Sequence, residues 1–411
     1  MAYHPGQNIP IPETRYRDRY AIVGVGETDY REDYRAAREA AKSGVQHQNA
    51  NTVEALAERA FHRALNDSGL GLSDIDGLGV SFLYGGYSAG EMAAQLGVAA
   101  RCTLACSGVM AGPIPQAVSA LERGECHTIA LIYGVASQSK GRRFGGQVHQ
   151  ENLAPSSYYY HHPWGWSSQA AHWALAWQHY RAQYDIDEHA LAAVSMQLRA
   201  HALMTDHSIM HQPLTREGYE KSRYIVWPLH LFDICLVNDG AVCLIIRRSD
   251  QSRDLAKTPV LISGWGEATV TQDKMKNLVV HRMSDQFQAA GQQALDMAGV
   301  TRDHIQHFEC YDASSAHLVN HLEGHGFAAP GETIAGYERG EFGVGGRLPV
   351  NTAGGMLSGS YMHGWNHVAE IVHQLRHEAG ARQTPGVETA MFSLAQTDQV
   401  HPLVFRRGEP T

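Results

Sequence analysis

Six cysteines, Cys102, Cys106, Cys126, Cys235, Cys243 and Cys310, are scattered without a close CxxC pair. This excludes the spacing of zinc ribbons and of small disulfide scaffolds, and it reads as the thiol usage of a reduced, cytoplasmic protein. No apolar run reaches the roughly 20 residues that a bilayer-crossing helix needs. Met1 to Arg19 carry prolines and charges but no apolar h-region, so the segment reads as a surface arm and not as a signal peptide. A basic excess is also missing. The chain has 33 Lys and Arg against 42 Asp and Glu, a net charge of −9, which argues against nucleic acid as the main partner while leaving room for a local basic patch toward a phosphate. Histidine, in contrast, is abundant at 25. The pair His161–His162 and the run His304, His307, His317, His321 and His325 follow no ligand spacing, and no metal site is expected.

What is present is globular: 44% apolar and 18% charged residues over 411 positions, a length that calls for two domains or a duplicated unit. Tyr20 to Gly26 reads as a buried strand. Thr52 caps a helix whose apolar positions Val53, Leu56, Ala57, Ala60, Phe61 and Leu65 follow helical spacing, Gly69 stops it, and Ile75 to Phe82 resumes strand character. Pro259 to Gly264 opens a second such series, with a helix from Ser284 to Met297 stopped by Gly299. Ala60, Ala64, Leu65, Gly69 and Ile75 match Ala290, Ala294, Leu295, Gly299 and Ile305 at a constant offset of 230, the mark of an internal duplication. His127 to Gly134 and Ala241 to Arg247 are further buried strands. Strands alternating with helices predict an α/β fold.

Each half also offers a glycine-rich loop opening a helix: Gly108 to Gly112 before Gln116–Arg123, and Gly359 to Gly364 before Asn366–Arg376. The second belongs to the richest stretch of the chain, Leu348 to Asn366, where Gly354 and Gly355 adjoin Ser360, Tyr361 and His363. Polar side chains beside bare backbone N–H groups suit oxyanion binding and proton transfer. Between the halves, residues 141–238 carry the aromatic run Tyr158 to Trp166 and helical sequence over Gln169–Tyr184 and Glu188–His201, a candidate cap over the site. Asp239–Gly240 reads as a tight turn before the next strand.

The segments Ser222 to Asp233 and Asn238 to Ala241, together with Asn351-Thr-Ala-Gly-Gly355, Leu357-Ser358 and Tyr361-Met-His-Gly364, resemble the thiolase superfamily over nearly the whole chain. Within it they are most similar to the sterol-carrier-protein-x branch and its steroid side-chain aldolases. The resemblance implies a thiolase fold, two duplicated βαβαβαββ halves forming a five-layered αβαβα sandwich. The halves would cover 19–250, with the cap insertion at about 141–238, and 258–411. It also implies an acyl-CoA ligand with no other cofactor, a homodimer, and a small OB-fold, zinc-ribbon partner completing a heterotetramer.

The departures from thiolases carry the functional expectation. At the nucleophile's place the count leads to Ser107, with Cys106 one residue away. The HPxG histidine is replaced by Tyr361, with His363 two residues on, and the second-half motif becomes Tyr311-Asp312. In the aldolase-like branch, tyrosines at these two places are the proposed acid and base. The resemblance thus implies Tyr311, Tyr361 and His363 as catalytic groups and Ser107, Asp312, Gly354 and Gly355 as substrate-binding ones. The aldolase pattern Ser-Glu-Gly-Tyr is altered to Ser358-Gly359-Ser360-Tyr361, and the aromatic and Thr after Tyr-Asp are replaced by Ala313-Ser314-Ser315. A retro-aldol lyase is the first expectation. An acyltransferase using Cys106 and a non-catalytic thiolase-like subunit are the alternatives.

Overall fold

The apolar segment that opens the first half becomes β1 (Tyr20–Glu27), buried at every position but its last. It lies inside a ten-stranded sheet in a computed structural model that describes residues 14–42, 51–106, 110, 112–141, 162–164, 168–252, 255–269, 284–396 and 399–409. The strands are β1, β2 (Gly77–Phe82), β3 (Cys102–Ala105), β4 (Thr128–Ala136), β7 (Asp239–Arg248), β8 (Val260–Trp265), β9 (Ala268–Thr269), β10 (His307–Cys310), β11 (Thr389–Gln396) and β12 (Gln399–Arg407). Their order is β10-β11-β12-β8-β1-β7-β4-β2-β3, with β9 beside β12. A separate hairpin joins β5 (Tyr224–Val226) to β6 (Leu229–His230). The two halves meet where β1 pairs β8 over Ala21–Leu261 and Ile22–Val260.

The helices, in chain order, are α1 (Tyr30–Lys42), α2 (Val53–Ser68), α3 (Ala89–Leu96), α4 (Pro113–Glu122), α5 (Gln169–Tyr184), α6 (Ala192–Leu203), α7 (Arg216–Glu220), α8 (Ser284–Ala298), α9 (Ser315–Gly324), α10 (Thr333–Glu338) and α11 (Trp365–Leu375). Leu56, Ala60, Phe61 and Ala64 of α2 cover one face of the first half, against Val23, Leu78, Ile132 and Ile245. On the opposite face, Ile114 and Val118 of α4 and Val368 and Val372 of α11 share one core with Leu131 and Leu244 of the first half and Phe308, Phe392 and Val404 of the second. α8 lies outside the second half, on β8 and β12. The sheet runs on through the β1–β8 seam, and its two halves, with α2 and α8 outside them and α4 and α11 between them, form the five layers of a thiolase fold. α11 sits in the middle layer, buried at every residue except His373.

The duplication is physical as well as textual. A Cβ on Gly26 would stand 2.2 Å from the Ala60 carbonyl oxygen, and one on Gly266 would stand 2.0 Å from that of Ala290. One turn along, Gly24 meets Ala64 at 2.6 Å and Gly264 meets Ala294 at 2.2 Å. Each half presses its outer helix backbone onto its opening strand segment through two glycines, Gly24 and Gly26 within β1 and Gly264 and Gly266 at the end of β8 and just beyond it. The helix ends also match: Gly69 and Gly299 both take left-handed φ, +70° and +67°, which suits a glycine cap. Thr52 caps α2 as expected, accepting the Ala55 N–H at 3.2 Å.

Some local expectations are corrected. Asp239 and Gly240 are not a turn; they begin β7, paired with Ala136 and Val135. The Asp239 carboxylate accepts the N–H groups of Gln138 and Ser139, and Tyr30 and Met362 pack where a Gly240 side chain would be, so tertiary contacts override the turn propensity. The stretch Gly355–Gly359 is a single π-helical turn, not an open loop. α4 begins at Pro113, a residue favoured at the first helical position. Of the aromatic run in the insertion, the described residues His162–Trp164 form a short 3-10 turn with Trp164 exposed; Tyr158 to His161 and residues 165–166 lie outside the described residues.

Gly26→Ala and Gly266→Ala are each expected to destabilise the fold by about 1–3 kcal/mol through overpacking. Gly71→Ala, at an exposed position with room for a methyl group, should stay within about 0.5 kcal/mol. Urea unfolding of the three variants checks this.

Candidate active site

Tyr311 leaves the end of β10, and two buried contacts hold that end. Its own N–H donates to the Ser393 carbonyl at 2.9 Å. One residue earlier, the Asn351 side chain grips the Cys310 backbone on both sides, accepting its N–H at 2.8 Å and donating to its carbonyl at 2.9 Å. Asn351 does this with φ +50°, a left-handed conformation that Asn tolerates better than most residues. Tyr361 follows the π turn. Its N–H donates to Asn238 Oδ1 at 2.8 Å, and Asn238 Nδ2 donates to Ser360 Oγ at 3.0 Å. His363 is also left-handed, φ +55°, and its carbonyl accepts the Met110 N–H at 3.4 Å.

These turns bring the three expected groups together. The His363 ring lies 5.8 Å from the Tyr311 ring and 5.5 Å from the Tyr361 ring, and the two phenols are hydrogen-bonded to each other. Tyr311, Tyr361 and His363 keep only 3%, 6% and 8% of their surface open, so the cluster is nearly dry. Burial, then the neighbouring Tyr311, pushes the Tyr361 phenol well above its ordinary value, so it is neutral at rest. His317, from the expected histidine run, packs edge-on against Tyr311 at 6.2 Å and accepts the Ser314 N–H as part of the α9 cap. His321 and His325 share the Ser393 hydroxyl. Among the described residues no group of His, Cys, Asp or Glu is placed to hold a metal.

Asp312 does not reach into the cluster; it anchors its floor. Its carboxylate accepts the Met356 N–H at the head of the π turn and pairs with His367 Nε2 at 2.9 Å. His367 Nδ1 pairs with Glu309 at 2.6 Å, and Glu309 with His307 at 3.0 Å and with the Thr352 N–H at 3.0 Å. Gly355 is required here: a Cβ would stand 2.1 Å from the Asp312 carboxylate, and φ is +56°. Gly354, φ +90°, lies against Ala202 of α6, and its N–H donates to the Asn351 carbonyl, which commits that amide to the turn. The insertion thus supports the turn through α6, where Arg199 also donates to Ser358 Oγ at 3.1 Å. The α4 start offers few donors, since Pro113 and Pro115 have no N–H. Ser107 lies outside the described residues. Burial, then Cys102, pushes the Cys106 thiol up to about 12, and its sulfur faces the Leu104 carbonyl at 4.0 Å, the opposite of an activated nucleophile.

Sequence reasoning missed the supporting residues Glu309 and His367, and it quoted Asn238 and Asn351 without their roles. A signal existed: Glu309 stands in a buried strand and His367 in a helix buried nearly all round, where charge is rare unless paired. For His367, burial opposes the charged ring, but Asp312 and Glu309 outweigh it and raise the imidazole to about 9. A pKa raised on folding gives stability that is fully present below about 6.5 and is lost as pH rises through about 9. The unfolding free energy should therefore fall between pH 7 and 9.5, and His367→Gln should remove that part of the slope. Denaturant melts across this range measure it.

Residues 266–396 match the thiolase C-terminal domain-like family. The chain is 29% identical to the steroid side-chain-cleaving aldolase of Thermomonospora curvata over 371 residues, 87% of this chain and 90% of that one. It is also 29% identical to the 17-hydroxy-3-oxo-4-pregnene-20-carboxyl-CoA lyase of Mycobacterium tuberculosis over 369 residues, 87% and 91% of the two chains. A solved structure titled Ltp2-ChsH2(DUF35) aldolase superposes with a TM-score of 0.81 at 25% identity, covering 95% of this chain and 98% of that one. These likenesses run along nearly the whole chain, and the duplicated five-layered fold that it shares with them is the thiolase fold.

Proposed function

We propose that the protein is a carbon–carbon lyase that cleaves a branched β-hydroxyacyl-CoA of the steroid side-chain class into a ketone or aldehyde and a shorter acyl-CoA. One observation carries this reading: two hydrogen-bonded phenols and an imidazole occupy the cluster, while the Cys106 thiol is held protonated. Retro-aldol cleavage must remove the β-hydroxyl proton, break the bond between the α and β carbons, and return a proton to the α carbon of the resulting enolate. A neutral phenol is a poor base by itself. In a hydrogen-bonded pair, one phenol accepts the substrate proton as it passes its own to the other, which delivers its proton to carbon. No phenolate accumulates, which suits a dry site. His363 tunes one member of the pair, and their order along the path is unassigned.

The relatives' names support the substrate class. The name of the M. tuberculosis lyase itself describes a thioester with its hydroxyl on the β carbon. The solved neighbour's title pairs its aldolase with a DUF35 chain, which supports a partner for this protein too. We take that partner to be a small OB-fold, zinc-ribbon protein completing the CoA site around a homodimer, in the cytoplasm, with CoA arriving on the substrate and no further cofactor.

Tyr311→Phe and Tyr361→Phe should each lower the turnover number by about 10²–10⁴-fold, the range for a lost acid or base. The double variant should be little worse than the worse single one, because the two act as a unit. Cys106→Ala should cleave at the wild-type rate. The assay incubates the chain, alone and with a DUF35-type partner, with β-hydroxyacyl-CoA substrates and follows the products by mass spectrometry. Acyl exchange that depends on Cys106 would instead establish an acyltransferase, and full activity of both Phe variants in the assembled complex would remove the tyrosines from the chemistry.

A further inference from the structure

A third phenol borders the cluster. Tyr133, on β4, is fully buried, and its ring stacks on Trp365 at 5.8 Å and 22° and lies 6.2 Å from the His363 ring. Its hydroxyl is close enough to Tyr311 and Tyr361 to interact with both electrostatically. Unlike theirs, this hydroxyl has no hydrogen-bond partner among the described residues. An unpartnered buried hydroxyl is a net cost to folding, and packing gives no reason for it, since Phe would fill the same space and stack on Trp365 equally well. The hydroxyl gains its bond when something polar enters the cluster. Burial, then Tyr311 and Tyr84, pushes the phenol well above its ordinary value, so it remains a donor throughout the physiological range.

We propose that the Tyr133 hydroxyl is a ligand-binding group that donates a hydrogen bond to an oxygen of the bound acyl thioester. This deepens the acyl-CoA reading of the same site and rests on it. The oxygen is either that of the β-hydroxyl or that of the thioester carbonyl. Both suit a neutral donor.

The test is Tyr133→Phe in the full-length chain, with its partner where assembly requires one. Thermal unfolding is measured without ligand. Binding of 3-hydroxy-3-methylbutyryl-CoA and of its deoxy counterpart 3-methylbutyryl-CoA is measured by calorimetry. The variant should unfold at the same or a higher temperature, while its affinity for the hydroxylated ligand falls about tenfold, the size of one buried hydrogen bond. A loss confined to that ligand assigns the bond to the β-oxygen; an equal loss for both assigns it to the thioester. Unchanged affinity for both overturns the proposal, as does a lower unfolding temperature without ligand, which would mean that the fold already supplies a partner. Wild-type protein that binds neither thioester overturns the acyl-CoA reading and this inference together. Wild-type protein that binds but does not cleave overturns the lyase chemistry alone and leaves the Tyr133 result readable.

Discussion

Two asparagine side chains hold the site together. Asn351 closes both backbone groups of Cys310, and Asn238 closes the backbone N–H of Tyr361 and the hydroxyl of Ser360. Each bond is worth only about 1 kcal/mol net, but a buried amide left without its partner costs about 1–3 kcal/mol. The penalty for a wrong arrangement therefore exceeds the reward for the right one. That asymmetry fixes the ends of three distant segments, around residues 238, 311 and 361, in one place, and without it neither phenol has a defined position.

Beneath these clamps runs a chain of alternating acid and base: His307, Glu309, His367 and Asp312. It belongs to the second half and to the central helix α11, which packs on both halves. Removing these groups from water is costly, and the arrangement repays that cost only because each carboxylate oxygen also meets an imidazole or a backbone N–H. The result is a rigid floor. Asp312 pulls the π turn down through Met356, Gly355 gives the clearance, and the turn then releases the chain toward Tyr361. α6 closes the same turn from the opposite side through Ala202 and Arg199.

The chemistry follows from what this frame excludes. The phenol cluster is nearly closed to solvent, so an isolated charge there would be unstable, and proton transfer along a neutral hydrogen-bonded pair is favoured. Cys106 is only half-buried, and its immediate neighbours silence it. A thiolate needs a cation, a helix start rich in N–H groups, or solvent; Cys106 faces a carbonyl, and the nearby helix opens with two prolines.

The alternation of strands and helices, the Thr52 and Gly69 caps and the repeat at offset 230 were legible because they are local: periodicity and cap chemistry act within a few residues. The fold adds to that repeat a shared contact, strand glycines against helix alanines, which the offset does not contain, since the alanines recur at 230 and the glycines at 240. Tyr311, Tyr361 and His363 could be named from their motif places. That they meet, that Asp312 serves as an anchor, that Gly354 and Gly355 are needed for clearance, and that Asp239–Gly240 lies in a strand were decided by tertiary structure alone. The physical reason is range. A propensity depends on neighbours in the chain, whereas the demand that a buried polar atom find a partner is met by residues tens to hundreds of positions away, and no local pattern records which ones.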